Sequence, residues 1–376
     1  MPKQGGFSDF ESGLIEWLED PGAPDYSNSV EWSRRLGERG LLAPAWAVEH
    51  GGAELDKEQV RFLESELLGR GIRRAVSGGL EMLAPALLEY ASAEQLARFL
   101  PPIARAETMW AQGYSEPQAG SDLANVQMRC EDQGDHYLVN GQKIWTSGAD
   151  DSNWIFCLVR TDPNASKHDG ISFLLVDLST PGISISPIVL ISGRSPFCEV
   201  FFSDAKVPKE NLIGGEGRGW PIAKRLLQFE RNMLGSGGLS ALTGRAGRKS
   251  LSEVAIEQIG LDDDGSLRDD ALRERVARQM VDERANRLTG GRARGSDAAR
   301  VSSILKLASS EASQRRYSLL MDLLGTDGLG WNSEGHSEYE ASIPRQWLRS
   351  RANTIEGGTS EVQLNIIAKR VLGMPG

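Results

Sequence analysis

The chain has 376 residues, 40% apolar and 25% charged, which is enough for two or three domains of ordinary globular make-up. Its net charge of −10 argues against a nucleic-acid role, which wants a basic face, while leaving room for an anionic ligand where a few Arg or Lys reverse the field in a cleft. No run of eighteen apolar residues occurs and the residues Met1 to Gly6 carry no apolar signal segment, so neither a membrane span nor secretion is expected and the cytoplasm is the expected compartment.

Residues 7 to about 109 carry helical periodicity and no strand signal. Phe10, Leu14, Ile15, Trp17 and Leu18 recur at helical spacing, and Val30 to Leu41 and Lys57 to Leu68 carry similar stripes. Ser92-Ala93-Glu94-Gln95 opens a further helix that Pro101-Pro102 is expected to end. From about 110 to 225 the pattern changes to short β-branched and aromatic runs. Tyr137 to Val139, Trp154 to Val159, Ile171 to Val176, Ile183 to Ile185 and Val200 to Phe202 are separated by turn residues, which predicts a β-sandwich or barrel. Helical periodicity then returns in Ile222 to Met233, Ala271 to Thr289 and Ser302 to Leu324, with a polar loop expected from Trp331 to Pro344. A last helix is expected after Gly357-Gly358-Thr359-Ser360, with Thr359 as cap, Glu361 at its positive end and Lys369 and Arg370 at its negative end. Its N-terminus is a candidate phosphate site, and a well-capped terminal helix fits the same residues. The expected organisation is therefore α+β multidomain. A helical domain spans 1–109, a β domain 110–225 and a second helical domain 226–376, with a cleft available where they meet.

One stretch stands apart, from Gly113 to Gly148. It opens with Gly113-Tyr114-Ser115-Glu116-Pro117-Gln118-Ala119-Gly120-Ser121-Asp122, poor in apolar side chains and rich in groups that approach a phosphate or a planar ring closely. It closes with Asn140-Gly141-Gln142-Lys143-Ile144-Trp145-Thr146-Ser147, in which Asn140-Gly141 predicts a two-residue hairpin turn. On these residues alone, a ligand cradle and a plain surface loop with a hairpin both remain open. Cys130, Cys157 and Cys198, and His50, His136, His168 and His336, are scattered without ligand spacing, so neither a disulfide framework nor a metal site is expected.

Taken in order, these segments resemble the acyl-CoA dehydrogenase family. Ser115 to Asp122 is similar to its Ser/Thr-Glu-Pro-x-Ala-Gly-Ser-Asp segment, and Asn140 to Ser147 to its Asn-Gly-x-Lys-x-Trp segment. Val207-Pro208-Lys209-Glu210-Asn211-Leu212-Ile213-Gly214 matches the family's exit from the β domain, and Ile355-Glu356-Gly357-Gly358-Thr359-Ser360-Glu361-Val362-Gln363 its C-terminal motif. The resemblance covers nearly the whole chain. It implies FAD as cofactor and an acyl-CoA substrate. By matched position it implies that Ser115 and Ser147 bond the flavin ring, that Trp145 packs on it, that Ser121 lies near the pyrophosphate or the thioester, and that Thr359 and Glu361 contact FAD. It implies an oligomer, a dimer or tetramer, and an electron-transfer flavoprotein as acceptor.

The family's chemistry removes the α-proton of the thioester with a carboxylate while the β-hydride goes to flavin N5, forming a trans-2-enoyl-CoA. A base of this kind belongs in a dry pocket. Two positions match the family's bases. Glu356 precedes Gly357-Gly358 and is one residue early. Glu230 lies in Gln228-Phe229-Glu230-Arg231, where a bacterial subgroup carries its base as Glu-Arg. The resemblance favours Glu230 as base, with Arg231 as a neighbouring charge on the substrate side. Two departures stand out. Nothing from Ser250 to Arg278 matches the family's Arg-x-x-Phe-Gly-x-Pro-Leu run, and Leu364 stands where Arg is frequent. A bacterial subgroup that includes sterol side-chain enzymes lacks that run, and some of its members pair as heteromers. A partner subunit with an incomplete flavin site, and an oxidase or flavin monooxygenase relative, are the alternatives.

Overall fold

A computed structural model of the chain describes residues 7–75, 78–235, 249–292, 298–332, 335 and 337–375, with the side chains of 230–235, 292 and 298–300 excepted. The chain divides into two compact units. One comprises Met1–Pro187 with Phe197–Leu226, the other Ile188–Pro196 with Leu227–Gly376.

The first unit begins with helices α1 (Phe7–Leu18), α2 (Ser29–Glu38), α3 (Lys57–Gly69), α4 (Ala84–Tyr90) and α5 (Ala93–Ala104). The apolar stripes do what their spacing predicts. Phe10, Leu14, Trp17 and Leu18 of α1 share one buried core with Trp32 and Leu36 of α2 and Leu63 and Leu67 of α3. Asp56 and Gln59 form a capping box at the start of α3, and Ser92 and Gln95 form another at α5. The expected end of α5 at Pro101-Pro102 is not found. The helix continues to Ala104, with Phe99, Leu100, Ile103 and Ala104 all buried. Burial of that face offsets the backbone bonds the two prolines cannot donate, and Pro101 O and Pro102 O still accept from Arg105 N and Glu107 N.

The strands follow: β1 (Trp110–Gly113), β2 (Arg129–Asp132), β3 (His136–Ser147), β4 (Trp154–Arg160), β5 (Ile171–Asp177), β6 (Ile183–Ile188), β7 (Phe197–Pro208) and β8 (Leu212–Ile213). They form one mixed sheet in the order β6-β7-β3-β2-β4-β5-β8, with β1 parallel to β4. Among the described residues the order helices, strands, helices is borne out. The hairpin expected at Asn140-Gly141 is not. Strand β3 runs straight through these residues, and the register against β7 shifts between Val139 and Gly141. The positive φ of Gly141, 143°, serves this irregularity rather than a turn. Asn140 binds across to β7, donating to Asp204 Oδ1 and accepting from Asp204 N, each at 2.9 Å.

One face of the sheet buries Cys130, Val139, Ile155, Cys157, Val159, Leu174, Val176, Cys198 and Val200 together. Burial pushes the thiols of Cys130 and Cys157 from an ordinary 9.0 up to about 12. The native state therefore holds protons that the unfolded chain releases first. Stability from this source is full below about pH 9 and falls as pH rises toward 12. Urea midpoints measured across that window should fall, and the slope should flatten in Cys157→Val.

Helix α6 (Gly219–Gly235) leaves the sheet. Gly219 lies so close to β5 that a Cβ would meet Ser172 C at 2.4 Å. Gly217 N donates to Ser172 Oγ at 2.9 Å, and Arg225 pairs with Glu89 at 2.6 Å. The second unit continues with α7 (Leu251–Ile259), α8 (Asp270–Arg292), α9 (Ala298–Leu324), α10 (Glu338–Ser350) and α11 (Ser360–Ile366). Its core joins Leu251, Val254 and Ala255 of α7 to Tyr317, Leu320, Leu323 and Leu324 of α9 and Ile343 of α10. The polar loop expected from Trp331 to Pro344 is overturned in its second half, where α10 begins at Glu338 behind a Ser337–Glu340 capping box and carries Pro344 inside it. The expected terminal helix ends its regular part at Ile366, and Ile367–Val371 continue as a wider turn. Among the described residues no helix is long and apolar enough to cross a membrane, and no acidic, histidine or cysteine cluster could hold a metal ion.

Candidate active site

The wall built by the Gly113 to Gly148 stretch lies wholly in the first unit. Its centre is a bulge in β3. Lys143 pairs with Val200 and Thr146 with Cys198, so β3 carries one residue more than β7 in between. Trp145 sits in that bulge with φ of 60°. A bulky L-residue rarely adopts this left-handed conformation, which costs on the order of 1–3 kcal/mol and needs support from its surroundings. The consequence is that Trp145 is 53% exposed, its ring edge-on to Phe197 at 6.0 Å. It is not a core tryptophan.

The same bulge turns the amide of Ile144 away from the ladder, and Ile144 N donates to Ser115 O at 2.9 Å. Ser115 and Trp145 are thereby brought together. Ser147 is the exposed last residue of β3, two positions beyond the ring. Ser121 is exposed in the loop after a tight turn in which Glu116 and Ala119 exchange both backbone bonds, and its neighbour Asp122 pairs with Lys167 at 2.7 Å. The far end of this loop is held by Arg160, which donates to Ala124 O and Val126 O at 3.0 Å.

Beneath the wall lies a pair that reading the sequence did not single out. Lys143 is fully buried, and its Nζ meets Glu116 Oε1 at 2.7 Å, with 5% of the Glu116 side chain exposed. No local signal marked it, since Lys143 stands among the polar Asn140, Gln142 and Thr146 and its partner lies 27 positions away. Gly113 is required where it stands, since a Cβ there would lie 2.6 Å from Cys157 Sγ and 2.7 Å from Ile155 Cδ1. Gly113→Ala should destabilise the first unit by about 1–3 kcal/mol by overpacking, read from urea unfolding.

The C-terminal motif lies in the second unit. Gly357 and Gly358 both take left-handed backbone, with φ of 59° and 90°. Thr359 caps α11 as expected, accepting from Val362 N at 3.2 Å. Glu361 is exposed in the first turn, and its own backbone N–H and the Thr359 hydroxyl hold its carboxylate below the usual range. Glu356 is engaged by Arg349 at 2.6 Å, so its carboxylate already has a cationic partner. Glu230 and Arg231 stand in α6, and their side chains lie outside the described residues.

The middle-domain model of acyl-CoA dehydrogenases matches residues 111–205, the N-terminal-domain model 16–107 and the C-terminal-domain model 217–372. The chain belongs to the acyl-CoA dehydrogenase family. Acyl-CoA dehydrogenase IpdE1 of Mycobacterium tuberculosis is 35% identical over 381 aligned residues, covering 99% of this chain and 96% of the relative. Among solved structures, the ChsE4-ChsE5 complex from the same organism superposes with a TM-score of 0.76 at 29% identity over all of both chains. A structure titled Tcur3481-Tcur3483 steroid ACAD superposes with a TM-score of 0.75 at 27% identity, covering 98% of this chain and 97% of that one. This acyl-CoA dehydrogenase is accordingly an oxidoreductase acting on a CH–CH bond. The wall is chemically suited to a flavin, because it offers one exposed aromatic ring, Trp145, in a segment that also carries the hydroxyl residues Ser115 and Ser147.

Proposed function

We propose that the chain dehydrogenates an acyl-CoA thioester to the trans-2-enoyl-CoA, with FAD held against Trp145. The exposed Trp145 ring on its left-handed backbone, tied to Ser115 through Ile144, carries this reading. FAD, when bound, accepts the β-hydride at its N5. By the family resemblance, Ser115 and Ser147 would bond the flavin ring and Ser121 would lie toward the pyrophosphate or thioester, and Thr359 and Glu361 would likewise be FAD-contacting residues. Glu230 takes the α-proton, and Arg231 sets a charge beside it on the substrate side. In the helical register Glu230 follows Leu226 by four residues and Ala223 by seven, and both of these are buried. That spacing is the repeat of one helical face and supports the choice of Glu230 as base. Glu356 is the weaker candidate because Arg349 engages it.

The titles of the similar structures support a steroid-like acyl group and a heteromeric oligomer, and the family resemblance implies an electron-transfer flavoprotein as acceptor. The test is a panel of straight-chain, branched and steroid-side-chain acyl-CoAs analysed by mass spectrometry. Loss of two hydrogens from the steroid-type thioester supports the reading. No such loss from any thioester overturns it. Rapid reoxidation by air, instead of by the flavoprotein acceptor, would shift the reading to an oxidase or monooxygenase relative.

A second reading is a partner subunit of a heteromer with an incomplete flavin site. The segment after α6 favours it, because Ser250 to Arg278 builds α7, a Leu261–Leu267 bridged turn and the start of α8 without the family's phosphate-binding Arg run. Under this reading the chain gains flavin colour upon coexpression with a second dehydrogenase chain and lacks it when purified singly.

A further inference from the structure

The buried pair Glu116–Lys143 lies outside the residues assigned above, and its hydrogen bonds converge on the same short segment. Lys143 Nζ donates to Glu116 Oε1 at 2.7 Å, to Leu158 O on β4 at 2.6 Å and to Tyr114 O at 3.4 Å. Glu116 in turn accepts from Gln127 N at 2.6 Å and Met128 N at 3.0 Å. The ammonium therefore has three acceptors, and each carboxylate oxygen has a backbone donor. A buried ion pair satisfied this fully is seldom favoured over apolar residues of the same volume, so its presence calls for a role in geometry.

The contacts show what is held. Tyr114 and Glu116 flank Ser115 on both sides, and Lys143 immediately precedes Ile144, whose amide binds Ser115 O. The next residue is Trp145, whose φ of 60° needs surroundings that hold it. On one side the pair fixes the loop that carries Ser115. On the other it fixes the strand just before the bulge that lifts the Trp145 ring. We propose that Glu116 and Lys143 are positioning residues that hold the Ser115–Trp145 wall in its ligand-ready conformation, rather than residues kept for stability. The inference deepens the flavin reading above and rests on it for the identity of the ligand.

The test is the double variant Glu116→Gln with Lys143→Met, which removes both charges at similar volume, in the full chain. Its urea midpoint should fall by less than that of Lys143→Ala, because no buried charge is left unpaired. The Ile144 amide should exchange with deuterium at least tenfold faster, while the Ile155 and Cys157 amides of β4 keep their protection. The affinity of the apo chain for FAD should fall at least tenfold, with the visible flavin band of the bound fraction shifted. Unchanged exchange at Ile144, or faster exchange spread evenly across the sheet, overturns the positioning role. Faster exchange confined to the wall, with wild-type FAD affinity and spectrum, also overturns it as a role toward flavin. If the wild-type chain takes up no FAD, the flavin reading falls, and the exchange pattern still decides whether the pair positions the wall.

Discussion

Glu230→Gln lowers the single-turnover rate of flavin reduction by an acyl-CoA about 10²–10⁴-fold, the contribution expected of a positioned general base. Glutamine keeps the size and one acceptor but cannot take the proton, so substrate binding should survive while proton removal does not. The direction of α6 makes this position a defined one. The helix starts against the backbone of Ser172, its first half buries Ile222, Ala223 and Leu226, and Arg225 pins its flank to Glu89. Glu230 then stands about 16 Å along the axis from Gly219 at the usual rise per residue. Stopped-flow absorbance of flavin, with acyl-CoA binding measured separately, separates a lost base from a lost pocket. A large rate loss in Glu356→Gln, with Glu230→Gln near wild type, would move the base to the C-terminal turn.

Lys143→Ala costs about 3–5 kcal/mol of stability, a large part of the usual total for a domain. The change leaves the Glu116 carboxylate buried with backbone donors and no cation. It also removes the bond to Leu158 O that ties β3 to β4 beneath the bulge. The exposed pair Lys167–Asp122 gives the contrast, since both of its side chains are about half exposed. Lys167→Ala should change stability by less than about 1 kcal/mol. Urea unfolding of the two variants side by side checks the difference. A Lys143→Ala loss as small as that of Lys167→Ala would mean that the buried pair contributes no more than a surface one.

The fold was legible where periodicity and length are strong. The stripes of α1, α3 and α9 and the β-branched runs of β4 and β5 read correctly because each buries a continuous face. Short or locally ambiguous pieces were not legible. Strands β1 and β2 have four residues each, too few to show a period. Helices α7 and α10 open on Ser-x-x-Glu capping boxes, a signal that the polar surroundings of Ser250 and Ser337 masked. Asn140-Gly141 was misread as a turn because positive φ is needed equally at a hairpin tip and at an irregular step within a strand. In the candidate site, Ser115 and Trp145 could be picked out through their motifs. The buried Lys143 could not, because a lysine in sequence reads as a solvated residue and its partner lies 27 positions away.

The most direct measurement is the visible spectrum of the purified chain, recorded before and during anaerobic addition of acyl-CoAs. The account predicts a yellow protein whose flavin band bleaches with a suitable thioester, and a Trp145→Ala variant that holds the flavin less tightly. A chain that stays colourless when purified and gains no flavin band on incubation with FAD would contradict it.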